Sequence, residues 1–337
     1  MNMVKYSSLA RACLVTSLSL ISATTMASEK TIADLVDAVN GTLDDASREA
    51  GKQVKLRNHA KGFCTSGSFI PAPELQQQLD IPFFNQGAIK VTARFSLGGT
   101  NAQLSDKTPG RFMSLKLDGA KESLNFVTTN VPVFFADNLD DFYTFQTKIK
   151  QGPEGKQWLK DNKPDAKRFL DYLAQLPPSP SFANSRYFGV NSFYFHQNSR
   201  QNSAKAEEPV AGKWIFEPLA GTAALTPNEL AKLDDNFLQP ELLTRIQSQP
   251  AQWSLYIQLA KPGDITDKAT ASWPESRPRL LAGKLVIDGQ RDASPEVTQC
   301  GDGIFNPLLL PKGITPSADP ILNARTPAYI ESFIRRR

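Results

Sequence analysis

The chain has 337 residues, with 38 Lys and Arg against 34 Asp and Glu, two histidines and three cysteines. Lys5 and Arg11 precede the first acid, Glu29, so the formal charge of +4 falls to +2 (4 − 2) from residue 28 onward. That balance argues against a nucleic-acid binder, and no Cys/His cluster has zinc-ligand spacing.

Residues 1–27 carry the three-part pattern of an export signal. Lys5 and Arg11 open it, an apolar run over 12–23 too short for a bilayer follows, and Thr25 and Ala27 sit at the −3 and −1 positions of a cut before Ser28. A cut after Ala23 is the alternative. The expected protein is therefore exported and periplasmic, with no membrane span after signal removal. Residues 28–337 are read as one domain, because no low-complexity linker divides them. Apolar positions 32, 35, 36 and 39 behind Thr31 predict a helix over 31–43. Alternation predicts strands over 89–97, 112–117 and 124–128. Residues 139–176 turn helical, with Pro164 breaking the pattern. Strands return at 187–196, 210–216, 253–260 and 282–287, with short helices opening at Thr226 and Pro240. The polar stretch 197–208 reads as an exposed hairpin tip. Residues 319–337 read as helical apart from Pro327. Seven or eight strands with helices between them predict an α+β fold, an antiparallel eight-stranded β-barrel core with inserted and flanking helices. Closure itself is not visible in a sequence.

Several residues invite a chemical reading. His59 stands in RNHAKG; taken alone it is a helix cap or a buried, hydrogen-bonded imidazole. His196 ends a strand and reads as a surface residue. Arg325 and Tyr329 are four apart and share a helix face. An arginine beside a phenol lowers its pKa, and a phenolate suits ferric iron; taken alone, the two are a surface pair. Arg335, Arg336 and Arg337 read as a solvated tail. Cys64 and Cys300 are either a disulfide or two buried thiols.

Six phrases in order make these residues a set: NHAKG at 58–62, ARFSLGG at 93–99, NVPVFF at 130–135, GKLVID at 283–288, PKGITPSADPILNAR at 311–325 and RTPAY at 325–329. Together they resemble the haem catalase family, most closely its small exported branch of catalase-related peroxidases. The resemblance implies the catalase-like barrel and a haem b whose iron is ligated by Tyr329, with Arg325 as the ionising partner. It implies His59 as the distal acid–base and Ser96 as its hydrogen-bond partner. Arg94 and Arg336 match arginines that pair with haem propionates, and Phe134 and Phe142 match aromatics on the distal face. The implied partners are peroxide and a small organic reductant, with an oligomer compatible.

The sequence also departs from the family pattern. The distal catalytic amide is replaced by Thr129, with Asn130 beside it as a substitute only if the loop rotates. Leu56 stands where an arginine is usual, three before His59. Gly98 replaces a branched residue that narrows the main channel, and Thr108 replaces an acid, so a wider and less acid-selective channel is expected. These departures favour peroxide reduction by an organic donor over rapid dismutation. The alternatives are a fatty-acid hydroperoxide-converting haem enzyme and a non-catalytic haem-binding protein.

Overall fold

A computed structural model describes residues 30–39, 58–198, 208–290 and 304–334. The export signal over 1–27, Leu56, Cys300 and Arg336 lie outside the described residues, as does most of the 197–208 stretch.

Strands β1 (Gly62–Pro71), β2 (Ile89–Ser96), β3 (Phe112–Asp118) and β4 (Ser123–Thr129) pair antiparallel in sequence order. From β4 the sheet passes through β5 (Tyr187–Phe188) to β7 (Val210–Pro218), β8 (Ala251–Leu259) and β9 (Arg279–Gln290), and β9 returns to β1. This circuit closes a barrel and leaves none of these strands with a free edge. β6 (Phe193–Phe195) lies on the same edge of β7 as β5, so the two serve as one interrupted strand of the eight. β10 (Ile314–Pro316) extends β6 on its far side.

The two-residue period sorts each strand between the barrel interior and the outer layer. On β2, Val91, Ala93 and Phe95 enter the main core, while Arg94 and Ser96 take the other face. Phe95, Phe126, Phe216 and Trp253 fill the interior. Trp253 keeps its indole N–H satisfied on the Ser185 carbonyl at 3.0 Å.

Helices cover the outside. Residues 32–39 form α1, with Leu35, Val36 and Ala38 buried. A short α2 (Pro73–Gln78) follows β1. Then α3 (Leu139–Lys148), α4 (Gly152–Asn162) and α5 (Pro164–Gln175) build a second core around Phe135, Phe145, Leu159 and Leu170. Pro164 starts α5 rather than disrupting it, since the first helical N–H has no intrahelical acceptor in any case. A capping box at Thr226 and Glu229 starts α6 (Pro227–Ala231), and α7 (Leu238–Ser248) buries Leu238, Leu242 and Ile246 against the barrel. The chain ends in α8 (Pro320–Asn323) and α9 (Arg325–Ile334).

Three elements differ from the sequence reading. β1 has no clear alternation and is not predicted. The strand expected over 187–196 breaks between Phe188 and Phe193, where Gly189 donates its N–H to the Trp214 carbonyl and Asn191 turns its amide to Asp319. In the last segment the joint falls at Ala324, not Pro327. Pro327 lies in the first turn of α9, where its missing N–H costs nothing.

Candidate active site

Strand register lays out one row of residues across the outer face. Gly62 pairs with Ser96, Ser96 with Phe112, Phe112 with Thr129, and Thr129 with Phe188. Arg94 sits two residues down β2 on the same face as Ser96. Gly62 is required there: a Cβ would fall 2.8 Å from the Arg94 guanidinium and 2.7 Å from the Ser96 Cβ.

His59 sits at the head of β1 with φ +53°, the one non-glycine residue of positive φ among those described. A side chain in this region costs on the order of 1–2 kcal/mol. Neighbouring bonds hold it there. Ala60 N–H donates to Gly99 O, Leu97 N–H to Lys61 O, and Arg94 Nη2 to the His59 carbonyl at 2.6 Å. The imidazole Nδ1 lies 3.1 Å from the Leu97 carbonyl oxygen. That oxygen can only accept, so Nδ1 carries the proton and Nε2 is the free base. The expected partner was Ser96, but its hydroxyl makes no bond to the ring; the chain turns after β2 so that the next carbonyl reaches Nδ1 first. Burial, then the charge of Arg94 and, more weakly, that of Arg325, hold the His59 pKa down at about 4, against a small opposing pull from the Leu97 bond.

A pH effect follows, with a definite sign. The unfolded chain takes up this proton near 6.5, the folded chain near 4. The stabilisation is complete above 6.5 and is lost as pH falls from 6.5 towards 4, by about 3 kcal/mol in all. Urea midpoints of the wild type should drop more steeply over that interval than those of His59→Ala. Parallel profiles would refute the shifted pKa.

Lys61, two residues beyond His59, ties the phrase to the rest of the fold. Its ammonium donates to Leu104 O at 2.7 Å and Asp235 O at 2.9 Å, and pairs with the buried Asp106 at 2.7 Å. Asp106 in turn accepts the Leu238 N–H at the start of α7. Lys61→Met should lower stability by about 3–5 kcal/mol, since it leaves a buried carboxylate with one helix bond and only the more distant charge of Arg111. Calorimetric melting would show it, and a loss under 1 kcal/mol would refute the pairing.

The Thr129 hydroxyl oxygen accepts the Val131 N–H at 3.3 Å. Asn130 is corrected as a catalytic candidate. Its carbonyl oxygen accepts the Arg111 N–H and its amide donates to Pro109 O, both at 2.9 Å, so the side chain is committed to the 109–111 turn. Beside Gly98, the space that a side chain would take is met by the ring of Phe112, which lies 4.3 Å from the His59 ring. Phe134 and Phe142 stack at 6.4 Å on the margin of the second core.

On α9, Arg325 Nη1 donates to the Tyr329 hydroxyl oxygen at 3.0 Å. The short α8 that leads into this helix is capped by Asp319, which accepts the N–H groups of Ile321 and Leu322. Burial pushes the Asp319 carboxyl up, against the Asn191 amide that donates to it at 2.7 Å. The broken strand thus anchors the start of α8, the helix that leads into α9. Sequence reading misses Lys61, Asp106, Phe112 and Asn191. Only Lys61 and Asn191 left a trace, as polar residues at positions that the surrounding pattern buries.

The residues fit a haem. Arg94 is buried, and among the described residues it has no carboxylate partner; its Nε bonds to nothing, as does that of Arg325. A buried cation left in that state demands an anion such as a propionate. Cys64, the β1 partner of Arg94, is disulfide-bonded. Its partner lies outside the described residues.

This barrel is shared with known proteins. The sequence model of the catalase family matches residues 44–337, and the chain belongs to that family of oxidoreductases, whose members generally bind haem. Within it, the similarity is to the catalase-related peroxidases. That of Synechococcus elongatus is 32% identical over 344 residues, covering 98% of this chain and 96% of its own. That of Mycolicibacterium paratuberculosis is 25% identical over 309 residues, covering 88% and 92%. The catalase of Vibrio cholerae is 26% identical over 82% of this chain, and that match spans only 58% of the larger protein. Catalase A of Saccharomyces cerevisiae superposes with a TM-score of 0.72 over 87% of this chain and 63% of its own, at 19% identity.

Proposed function

We propose that the chain is an exported haem peroxidase that reduces hydrogen peroxide or organic peroxides with a small organic electron donor, with weak catalase activity. The observation that carries this reading is a neutral imidazole, His59, held by the Leu97 carbonyl at Nδ1 with Nε2 free, in a chain whose α9 carries the bonded Arg325–Tyr329 pair. Tyr329 would ligate the iron of haem b, with Arg94 and Arg336 on the propionates. The bound haem would supply the iron at which the peroxide O–O bond is cleaved.

The chain's own groups do the rest. His59 Nε2 takes the proton from one peroxide oxygen and delivers it to the departing oxygen, which leaves as water or an alcohol. The Leu97 carbonyl keeps Nδ1 protonated and the ring aimed during both transfers. Arg325 donates to the Tyr329 hydroxyl oxygen and holds the phenol in position. Thr129 can donate one hydrogen bond to peroxide, a weaker orienting device than a primary amide with two N–H groups. That is why donor oxidation is favoured over a second, strictly oriented peroxide. Export is supported by the signal pattern at the N-terminus and by the disulfide at Cys64, which suits an oxidising compartment.

The test is a pair of assays on the purified holoprotein. Peroxide-dependent oxidation of a phenolic or dye donor should outpace oxygen release from hydrogen peroxide. Rapid oxygen release with no donor oxidation would overturn the reading, and so would a preparation with no Soret absorption.

A further inference from the structure

The placement of Phe112 is not accounted for by the acid–base chemistry of His59. Its ring lies 4.3 Å from that of His59, centroid to centroid, at an interplanar angle of 57°. Its edge rests against two glycines. A Cβ on Gly98 would fall 2.9 Å from Cε2 and 3.3 Å from Cζ of the ring, and one on Gly110 would fall 3.6 Å from Cε2. Gly99 needs to be glycine for its backbone, with φ +85°, but Gly98 has no such conformation. What excludes a side chain at 98 is the Phe112 ring alone. The ring is half-buried, so it forms part of the wall between the imidazole and solvent.

We propose that Phe112 is a specificity-determining gate on the peroxide side of His59, seated in space released by Gly98. Access to Nε2 is then set by one aromatic ring that turns about two torsions, instead of by a branched side chain fixed to the backbone at 98. A closed ring admits hydrogen peroxide. A turned ring, sliding over glycines that present no Cβ, admits a small alkyl or aryl hydroperoxide. Gly98 and Phe112 are therefore one device, and each substitution should depend on the other.

The substrate arm of this proposal rests on the peroxidase reading, so the experiment has a second arm that does not. Wild type, Phe112→Ala, Gly98→Val and the double variant Gly98→Val/Phe112→Ala are compared as purified holoproteins. In the first arm, kcat/KM is measured for hydrogen peroxide and cumene hydroperoxide. Phe112→Ala should raise the cumene-to-hydrogen-peroxide ratio about tenfold or more, the scale on which pocket size discriminates. The double variant should return it towards wild type. In the second arm, diethylpyrocarbonate modification of His59 is followed by peptide mass, with exposed His196 as internal reference. Phe112→Ala should speed modification of His59 relative to His196, and adding Gly98→Val should slow it again.

Melting temperatures add a check on the packing itself. Gly98→Val should destabilise the protein when Phe112 is present and much less when it is alanine. If Phe112→Ala changes neither the peroxide ratio nor the His59 modification rate, the gate is overturned. Strictly additive effects of the two substitutions would also overturn it. If the wild type turns over no peroxide, the peroxidase reading fails, and the modification and melting results still decide the gate.

Discussion

His59→Ala is expected to lower peroxide turnover by about 10²–10⁴-fold, the range typical for removal of a general acid–base, while the fold and the haem content are kept. The expectation rests on three features. The ring is neutral over the working pH range, since its pKa is held at about 4. Its tautomer is fixed by the Leu97 carbonyl. The other histidine, His196, is exposed at the far end of the β5–β6 stretch, where its main chain bonds to Gly313 and Asp80, so it offers no substitute base. Structural losses should be modest. Truncation forfeits one side-chain hydrogen bond, about 1 kcal/mol, and alanine is poorly suited to a φ of +53°, for about 1 kcal/mol more. The measurement is donor oxidation at saturating peroxide, beside a melting curve and the Soret absorbance per protein. A variant with normal haem and more than a tenth of wild-type turnover would remove His59 from the mechanism. The pH profile gives a second reading of the same group: wild-type turnover should show no inflection near 6.5 and should fall only as pH approaches 4.

Much of this arrangement is legible in the sequence, and the illegible parts have identifiable causes. The barrel strands β2, β3 and β4 announce themselves by alternation because one face meets an aromatic interior and the other a polar outer layer. β1 does not, since its run GFCTSGSFIP mixes small, polar and apolar residues and buries Phe63, Cys64 and Thr65 in succession while leaving Ile70 exposed. The β5–β6 break is hidden because Gly189 and Asn191 fit an alternating strand in phase. Only the Asn191–Asp319 bond reveals that the chain leaves the sheet there. For the site, spacing alone places Arg94 with Ser96 and Arg325 with Tyr329, because two and four are the periods of strand and helix. Contacts between distant segments are not encoded by any period. The Lys61–Asp106 pair spans 45 residues (106 − 61) and the Gly98–Phe112 contact crosses a loop, so both need the folded chain. The same limit applies to Gly98 and Asn130. A glycine at 98 suggests open space only if nothing else moves into it, and Asn130 suggests a catalytic amide only until its two turn bonds are seen.

Tyr329→Phe is the second large effect expected, and it separates ligation from acid–base chemistry. The substitution keeps the ring and removes one oxygen. Arg325 then loses the acceptor 3.0 Å from its Nη1, and its Nε already has none. Arg325 is only half-buried, so the lost hydrogen bond costs about 1 kcal/mol, which should appear as a small drop in melting temperature even before haem is considered. Because the proposed iron ligand is gone, haem per protein should fall well below the wild-type value. Any haem that remains should show an altered absorption spectrum, and turnover should drop to the level of free haem. His59→Ala should leave that spectrum largely in place, so the two variants fail in different ways. Arg325→Gln supplies the intermediate case: the phenol stays but loses the guanidinium that positions it, and haem binding should weaken without vanishing. A Tyr329→Phe protein with full haem and a wild-type spectrum would exclude Tyr329 as the ligand. The Arg325 bond would then be a structural pair in the first turns of α9, and the ligand would have to be sought elsewhere on the outer face.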